Sequence, residues 1–66
     1  MIDPARLDAT RKAFADVTAR LEDAAHVASE GQAVQDRVEA CKICDQLIEQ
    51  MNAMIQRLHR LQRRLR

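Results

Sequence analysis

Large aromatic anchors are nearly absent from this chain. Its 66 residues contain no tryptophan, no tyrosine and a single phenylalanine. A chain of this length buries a small core, and natural proteins of this size usually need a disulfide, a metal or a partner to become stable. Association with another surface is therefore the expected source of stability.

A disulfide framework is also absent, because Cys41 and Cys44 lie three residues apart and a bridge between them would close almost no loop. The C-x-x-C spacing is typical of metal and redox sites on turns or at helix N-termini, whereas here it falls within a periodic helical segment. A zinc site needs about four ligands, and the only two histidines lie elsewhere in the sequence. We predict no metal and no cofactor, and interpret both thiols as core side chains packed near Ala24 and Leu21. The alternatives are a metal site shared across a dimer and a redox role.

Long apolar runs and catalytic groups are missing as well. No segment approaches the roughly 20 apolar residues of a membrane span, and Asp3 and Pro4 interrupt any stretch that would resemble a signal peptide. Thiols without a disulfide framework are typical of a reducing compartment, so we expect a cytoplasmic protein without a membrane span. The only serine, Ser29, has no evident general base, and two helices enclose no substrate pocket. We therefore expect no catalytic residue and no enzyme.

Two long periodic segments flank the single glycine, Gly31. Asp3 followed by Pro4 is a typical helix start, and a glycine can adopt the left-handed conformation that ends a helix. The pattern predicts helix 1 over about residues 4–29, a turn near 30–33 and helix 2 over about 33–65. The predicted fold is all-α: one domain over residues 1–66, an antiparallel, coiled-coil-like two-helix hairpin. We expect dimerisation or a partner to complete a helical bundle.

The apolar residues of both segments follow a heptad repeat, as in packed helix pairs. In helix 1 the rows are Leu7, Phe14, Leu21 and Ala28, with Thr10, Val17 and Ala24; in helix 2 they are Val34, Cys41, Ile48 and Ile55, with Arg37, Cys44, Met51, Leu58 and Leu65. When the rows are paired in antiparallel order, the numbers of the two facing residues always add up to 65. The turn is then expected halfway, between positions 32 and 33. The agreement predicts that these rows form the contact between the helices.

Helix 2 has a further apolar row, formed by Ala40, Leu47, Met54 and Leu61. Helix 1 would not cover this row in the predicted register, and burying each Leu or Met is worth roughly 1.5–3 kcal/mol. We therefore predict that Leu47, Met54, Leu61 and Leu65 bind a partner. The candidates are a second copy of the chain and a heterologous helical protein, and a row left exposed is the third alternative.

The net charge of +1 conceals a segregation of charge along the chain. Residues 57–66 contain five arginines and no acid, whereas residues 1–56 have a net charge of −4. Arg57, Arg60, Arg63 and Arg64 are possible contacts for an acidic protein, a nucleic acid or an anionic lipid surface. The alternative is structural, since cations are favourable near a helix C-terminus. We expect nucleic acid to be the less favoured partner, because no aromatic residues lie between the arginines for base stacking.

A long helix up to Ala28, a turn at Glu30-Gly31-Gln32 and an apolar second helix from Val34 to Leu61 resemble two kinds of small helical hairpin. One is the family of type III secretion needle co-chaperones, which clasp a needle subunit together with a larger partner. The other is the plasmid copy-control family of RNA-binding hairpins, which form dimeric four-helix bundles. The resemblance implies either a small adaptor, chaperone-like or inhibitory protein, or an RNA-binding regulator, and it assigns no role to individual residues.

Overall fold

A computed structural model describes residues 3–66 as two antiparallel helices. Helix α1 spans Pro4–Gly31 and helix α2 spans Arg37–Leu65, and the described residues include no strand. The molecule is a rod about 51 Å long. The predicted all-α hairpin is confirmed, although α1 ends two residues later and α2 begins four residues later than the sequence indicated.

Asp3 starts α1 as predicted. Its Oδ1 accepts a hydrogen bond of 3.0 Å from the backbone N–H of Arg6, and Pro4 occupies the first helical turn, where its missing N–H costs nothing.

The end of α1 differs from the prediction at Gly31. This residue is the last of the helix and does not have a positive φ, so the expected left-handed cap is wrong. The chain instead leaves the helix through tight turns: the N–H of Gln32 donates to the carbonyl of Ser29, and the N–H of Ala33 donates to that of Glu30, both at 3.1 Å. These bonds satisfy the final carbonyls without left-handed backbone.

Asp36 starts α2, and the sequence-based interpretation missed it. Its Oδ1 accepts a hydrogen bond of 2.8 Å from the backbone N–H of Glu39. The available signal was the spacing of the two acids, since an N-cap residue followed three positions later by Glu marks a helix start. The connection therefore covers residues 32–36 and is longer than predicted.

The contact between the helices uses different rows from those predicted. The buried residues are Ala24 and Val27 of α1 with Met54 and Leu61 of α2, the last two only 4% and 6% exposed. Half-buried residues extend this seam along both helices: Thr10, Ala13, Val17, Arg20 and Gly31 on α1, and Ala40, Ile43, Leu47, Gln50 and Arg57 on α2. The prediction that Thr10, Val17 and Ala24 face the other helix is confirmed. On α2, the row of Met54 faces α1, and the two rows that were predicted to do so, those of Ile48 and of Met51, face solvent instead.

Side-chain size explains this choice of rows. The seam of α1 includes the small residues Ala13, Ala24 and Gly31, which leave room for the buried side chains of Met54 and Leu61. Phe14 and Leu21 would hold the helices farther apart, and they remain about half exposed. The heptad repeat identified two apolar stripes on α2 but not which of them faces α1.

The register also differs from the predicted one. Gly31 lies beside Ile43 and Asp16 contacts Arg57, whereas the predicted register placed Val34 and Glu49 opposite them. The shift is about eight to nine residues, or roughly two and a half helical turns. In the observed register, residues 37–42 of α2 extend beyond the end of α1. Consequently the arginine-rich end of α2 does not overhang, and Arg63 and Arg64 share a groove with Ala9 of α1.

Candidate interaction surfaces

One side of the hairpin exposes a continuous row of large apolar side chains, which we call the apolar face. It consists of Phe14 and Leu21 on α1 and of Ile48, Met51, Ile55, Leu58 and Leu65 on α2. The α2 members are spaced by three, four or seven residues, so they share one side of that helix. Ile48 is 57% exposed and Ile55 is 51% exposed.

The two helices contribute to the same side. Phe14 of α1 lines a shallow groove with Ile55, Leu58 and Leu65 of α2, and His59 and Gln62 border it. The groove has a volume of about 400 Å³. The apolar face is therefore one surface that crosses the seam between the helices.

The area of the apolar face is large for an isolated chain. Its seven side chains are on average about half exposed, and large side chains present on the order of 150–200 Å² each, which gives roughly 600 Å². The largest apolar patch on a typical monomer is about 300–600 Å² and is often functional. A standard protein interface buries about 800 Å² on each partner. The exposed area of the apolar face, together with that of the residues bordering it, therefore approaches the area that one partner buries in a standard interface.

The partner-binding residues predicted from the sequence divide between the interior and the surface. Met54 and Leu61 are buried against α1 and Leu47 is half-buried, so the expectation that helix 1 leaves this row uncovered is wrong. This row packs against small residues of α1, which leave room for its side chains. Leu65 is exposed and belongs to the apolar face.

Cys41 and Cys44 are also placed differently from the prediction. Both are exposed and continue the α2 side of the apolar face toward the turn, so their assignment to the core is wrong. The shift in register carries them away from Ala24 and Leu21. Within residues 3–66, no three side chains of His, Cys, Asp or Glu lie close enough together to hold a metal ion.

A second groove is basic and lies at the end of the hairpin where α1 begins and α2 ends. Lys12 lines it together with Arg57, Arg60, Arg63 and Arg64, and we call it the basic groove. Asp16 lies at its edge and accepts hydrogen bonds from Arg57 at 2.8 Å and from Arg20 at 3.2 Å. The four arginines predicted from the sequence are therefore brought together, and Lys12 is the member that sequence reasoning missed because it comes from the other helix.

The two grooves lie on opposite sides of the hairpin. Leu61, a buried seam residue, contributes to the floor of both. Ile55 and Arg57 are two residues apart, which is about 200° around a helix, and each borders a different groove. One side of the molecule is thus apolar and the other is basic near the termini.

In the described part of the chain, neither helix has an apolar stretch of the length needed to cross a membrane. No protein-family model matches the sequence, and no match was found among curated proteins or solved structures. The geometry of the two surfaces therefore carries the functional argument.

Proposed function

We propose that this hairpin is a non-enzymatic protein interaction module that packs its apolar face against the helices of another chain, as a small adaptor, chaperone-like or inhibitory protein does. The exposure of seven large apolar side chains on one side of the molecule is the observation that supports this function. Leaving these side chains in water forfeits roughly 25 cal/mol for each Å² that a partner would cover.

The shape of the surface favours a helical partner. The α2 side chains of the apolar face repeat at intervals of three and four residues, which is the spacing that packs against another helix. Met51 lies near the middle, and its flexible thioether suits contact with a partner of irregular shape. Among the residues predicted from the sequence, Leu65 remains in the proposed surface, while Leu47, Met54 and Leu61 support it from within.

Ile55→Lys is expected to abolish complexes that form through the apolar face, because it places a charge at the centre of that face. Ala53→Lys is the matched control: it introduces the same side chain two residues away, on the opposite side of α2, where Ala53 is exposed and borders Asp23 and Glu49. The measurement is chemical cross-linking in living cells, followed by detection of complexes that contain the chain.

Complexes present with the unaltered chain and with Ala53→Lys, but lost with Ile55→Lys, would support the proposal. Circular dichroism of both variants establishes that helicity is retained. Unchanged complexes with Ile55→Lys would contradict the proposal.

We infer a second candidate function, the binding of an anionic ligand such as RNA, from the convergence of Lys12 with four arginines in the basic groove. Phosphate contacts release counterions, so such binding weakens steeply with salt. Arg60→Gln with Arg64→Gln should weaken binding of a short single-stranded RNA and flatten its salt dependence. If each arginine contacts one phosphate, the magnitude of the slope falls by about 1.4, because each phosphate contact on a single strand contributes about 0.7.

The matched control for the basic groove is Arg37→Gln with Lys42→Gln, which removes the same charge near the turn. Filter binding across a salt series compares the two double variants. Equal losses in both, or affinity that is insensitive to salt, would rule out a phosphate-binding role for the groove.

A further inference from the structure

We propose that a second copy of this chain covers the apolar face, with the two turns at opposite ends of the resulting four-helix bundle. This inference rests on the proposed function, because it names the occupant of the same surface. Two hairpins can pack face to face in two symmetric ways. With the turns at the same end, α1 lies on α2 of the other copy; with the turns at opposite ends, α2 lies on α2 and α1 on α1.

The distribution of charge favours opposite ends. The contact between Asp16 and Arg57 separates a terminal part of the hairpin, residues 3–16 with 57–66, from a longer turn part, residues 17–56. The terminal part contains eight basic and three acidic residues, whereas the turn part contains three basic and seven acidic residues. Turns at opposite ends bring the basic part of each copy beside the acidic part of the other, and turns at the same end bring like charges together.

The border of the apolar face shows the same complementarity at the level of single residues. Asp45, Asn52 and His59 of α2 are spaced by seven, and Arg66, the residue that follows the helix, continues their row. When α2 runs antiparallel to α2 of a second copy, this row opposes itself in reverse order. In the register in which Ile48 and Leu58 share a layer, Asp45 lies level with Leu61 of the other copy, between its His59 and its Arg66. Opposite charges therefore meet at both ends of the interface.

The apolar face is suited to this self-association in extent as well as in charge. Its α2 members run from Ile48 to Leu65, and the exposed Cys41 and Cys44 extend the stripe toward the turn. When α2 packs antiparallel on α2 of a second copy, Ile48 can lie level with Leu58 of the other copy and Met51 with Ile55. Both pairings are possible at once because the midpoint of each pair is residue 53. The roughly 600 Å² on each copy approaches the area of a standard interface, about 800 Å² per partner.

Sedimentation of the purified chain tests whether a second copy is the occupant. We expect a dimer for the unaltered chain and for Ala53→Lys, and a monomer for Ile55→Lys. A monomeric unaltered chain at about 100 μM, whose cellular complexes nevertheless depend on Ile55, would overturn self-association and leave the proposed interaction module standing.

Spin labels measure the orientation. With Cys41→Ser and Cys44→Ser removing the natural thiols, a label at Ala33→Cys reports the distance between the two turns. Opposite ends predict about 35–45 Å, because each Ala33 lies roughly 18 Å along the axis from the centre of the dimer. Turns at the same end predict only about 10–20 Å, because neighbouring helix axes are about 8–10 Å apart. The shorter distance would overturn the proposed orientation without affecting the interaction module.

A second measurement uses the unaltered chain and needs no substitution. Lys42 lies near the turn, and a cross-link between two copies of Lys42 necessarily joins different chains. With the turns at opposite ends, the two Lys42 residues are separated by roughly 30–45 Å at 1.5 Å per helical residue, beyond the reach of a short amine cross-linker. Mass spectrometry that finds this link in the dimer would overturn the orientation, and its absence, with other links between the chains present, supports it.

Discussion

Asp16 connects the two helices through its carboxylate. It accepts hydrogen bonds from Arg57 on α2 and from Arg20 one turn along α1. All three side chains are about 40–46% exposed, so water screens the ion pairs. Each pair contributes on the order of 0.2–1 kcal/mol. Asp16 therefore contributes more to the alignment of the helices than to the stability of the fold.

Gly31→Ala is expected to stabilise the hairpin by about 0.5–1 kcal/mol. Gly31 has helical backbone, where alanine is favoured over glycine, and an added Cβ would meet only the Cγ2 of Ile43, at an ordinary contact distance of 3.4 Å. Urea unfolding followed by circular dichroism measures the difference.

The opposite sign would contradict the conformation described for Gly31. A left-handed glycine at this position predicts a loss of about 1 kcal/mol or more on substitution by alanine. The direction of the change therefore distinguishes the observed helix end from the one that the sequence suggested.

At the scale of the helix, α2 is apolar over an unusually wide arc. One stripe, represented by Met54 and Leu61, packs on α1, and the adjacent stripe of Ile48 and Ile55 faces solvent. A helix in a two-helix hairpin needs only the first stripe, since one neighbour covers one side. The second stripe is the part of α2 that the proposed partner would cover.

Asp36→Ala is expected to destabilise the start of α2 by about 0.5–2 kcal/mol, because it removes the oxygen that accepts from the N–H of Glu39. Asp36→Asn should retain most of the stability, since its amide oxygen can accept the same bond. Thermal unfolding of the two variants measures the difference. Equal stabilities for the two variants would mean that another group satisfies this N–H.

The presence of two helices and the start of α1 could be predicted from the sequence, because Asp3 with Pro4 and the long periodic segments are local signals. The start of α2 after Asp36 was missed. Which side of α2 faces α1 could not, because Met54 and Ile55 both belong to heptad rows and only their fit against the small residues of α1 separates them. The residue numbers of paired positions had a constant sum because both helices follow a heptad repeat. Shifting one helix by a whole heptad changes the value of that sum but leaves it constant. It therefore did not determine the register.

The same reasoning applies to the candidate surfaces. Arg57, Arg60, Arg63 and Arg64 were identifiable as a run of charge, whereas Lys12 joined them only through the packing of α1 beside α2. Phe14 and Leu21 were predicted to lie in the contact between the helices because they belong to a heptad row. The proposed partner would cover both side chains, which would account for their exposure in the single chain.

At the scale of the whole molecule, folding and association are expected to be coupled. The unfolding midpoint should rise with protein concentration. For a dimer that dissociates on unfolding, the free energy of unfolding increases by about 1.4 kcal/mol per mole of dimer for each tenfold increase in concentration. Thermal unfolding over a hundredfold concentration range measures this shift. Ile55→Lys is the control and should show little dependence, while a midpoint independent of concentration in the unaltered chain would mean that the hairpin folds alone.

Within residues 3–66, only Ala24, Val27, Met54 and Leu61 are buried, which is a small interior for a rod 51 Å long. If a second copy supplies the remainder of the core, dilution lowers the stability of this chain, because separated copies retain only this small interior. Newly made chains would be open to proteolysis until enough of them had accumulated to meet, and survive afterwards. The rate of synthesis would then set a threshold below which the protein does not persist.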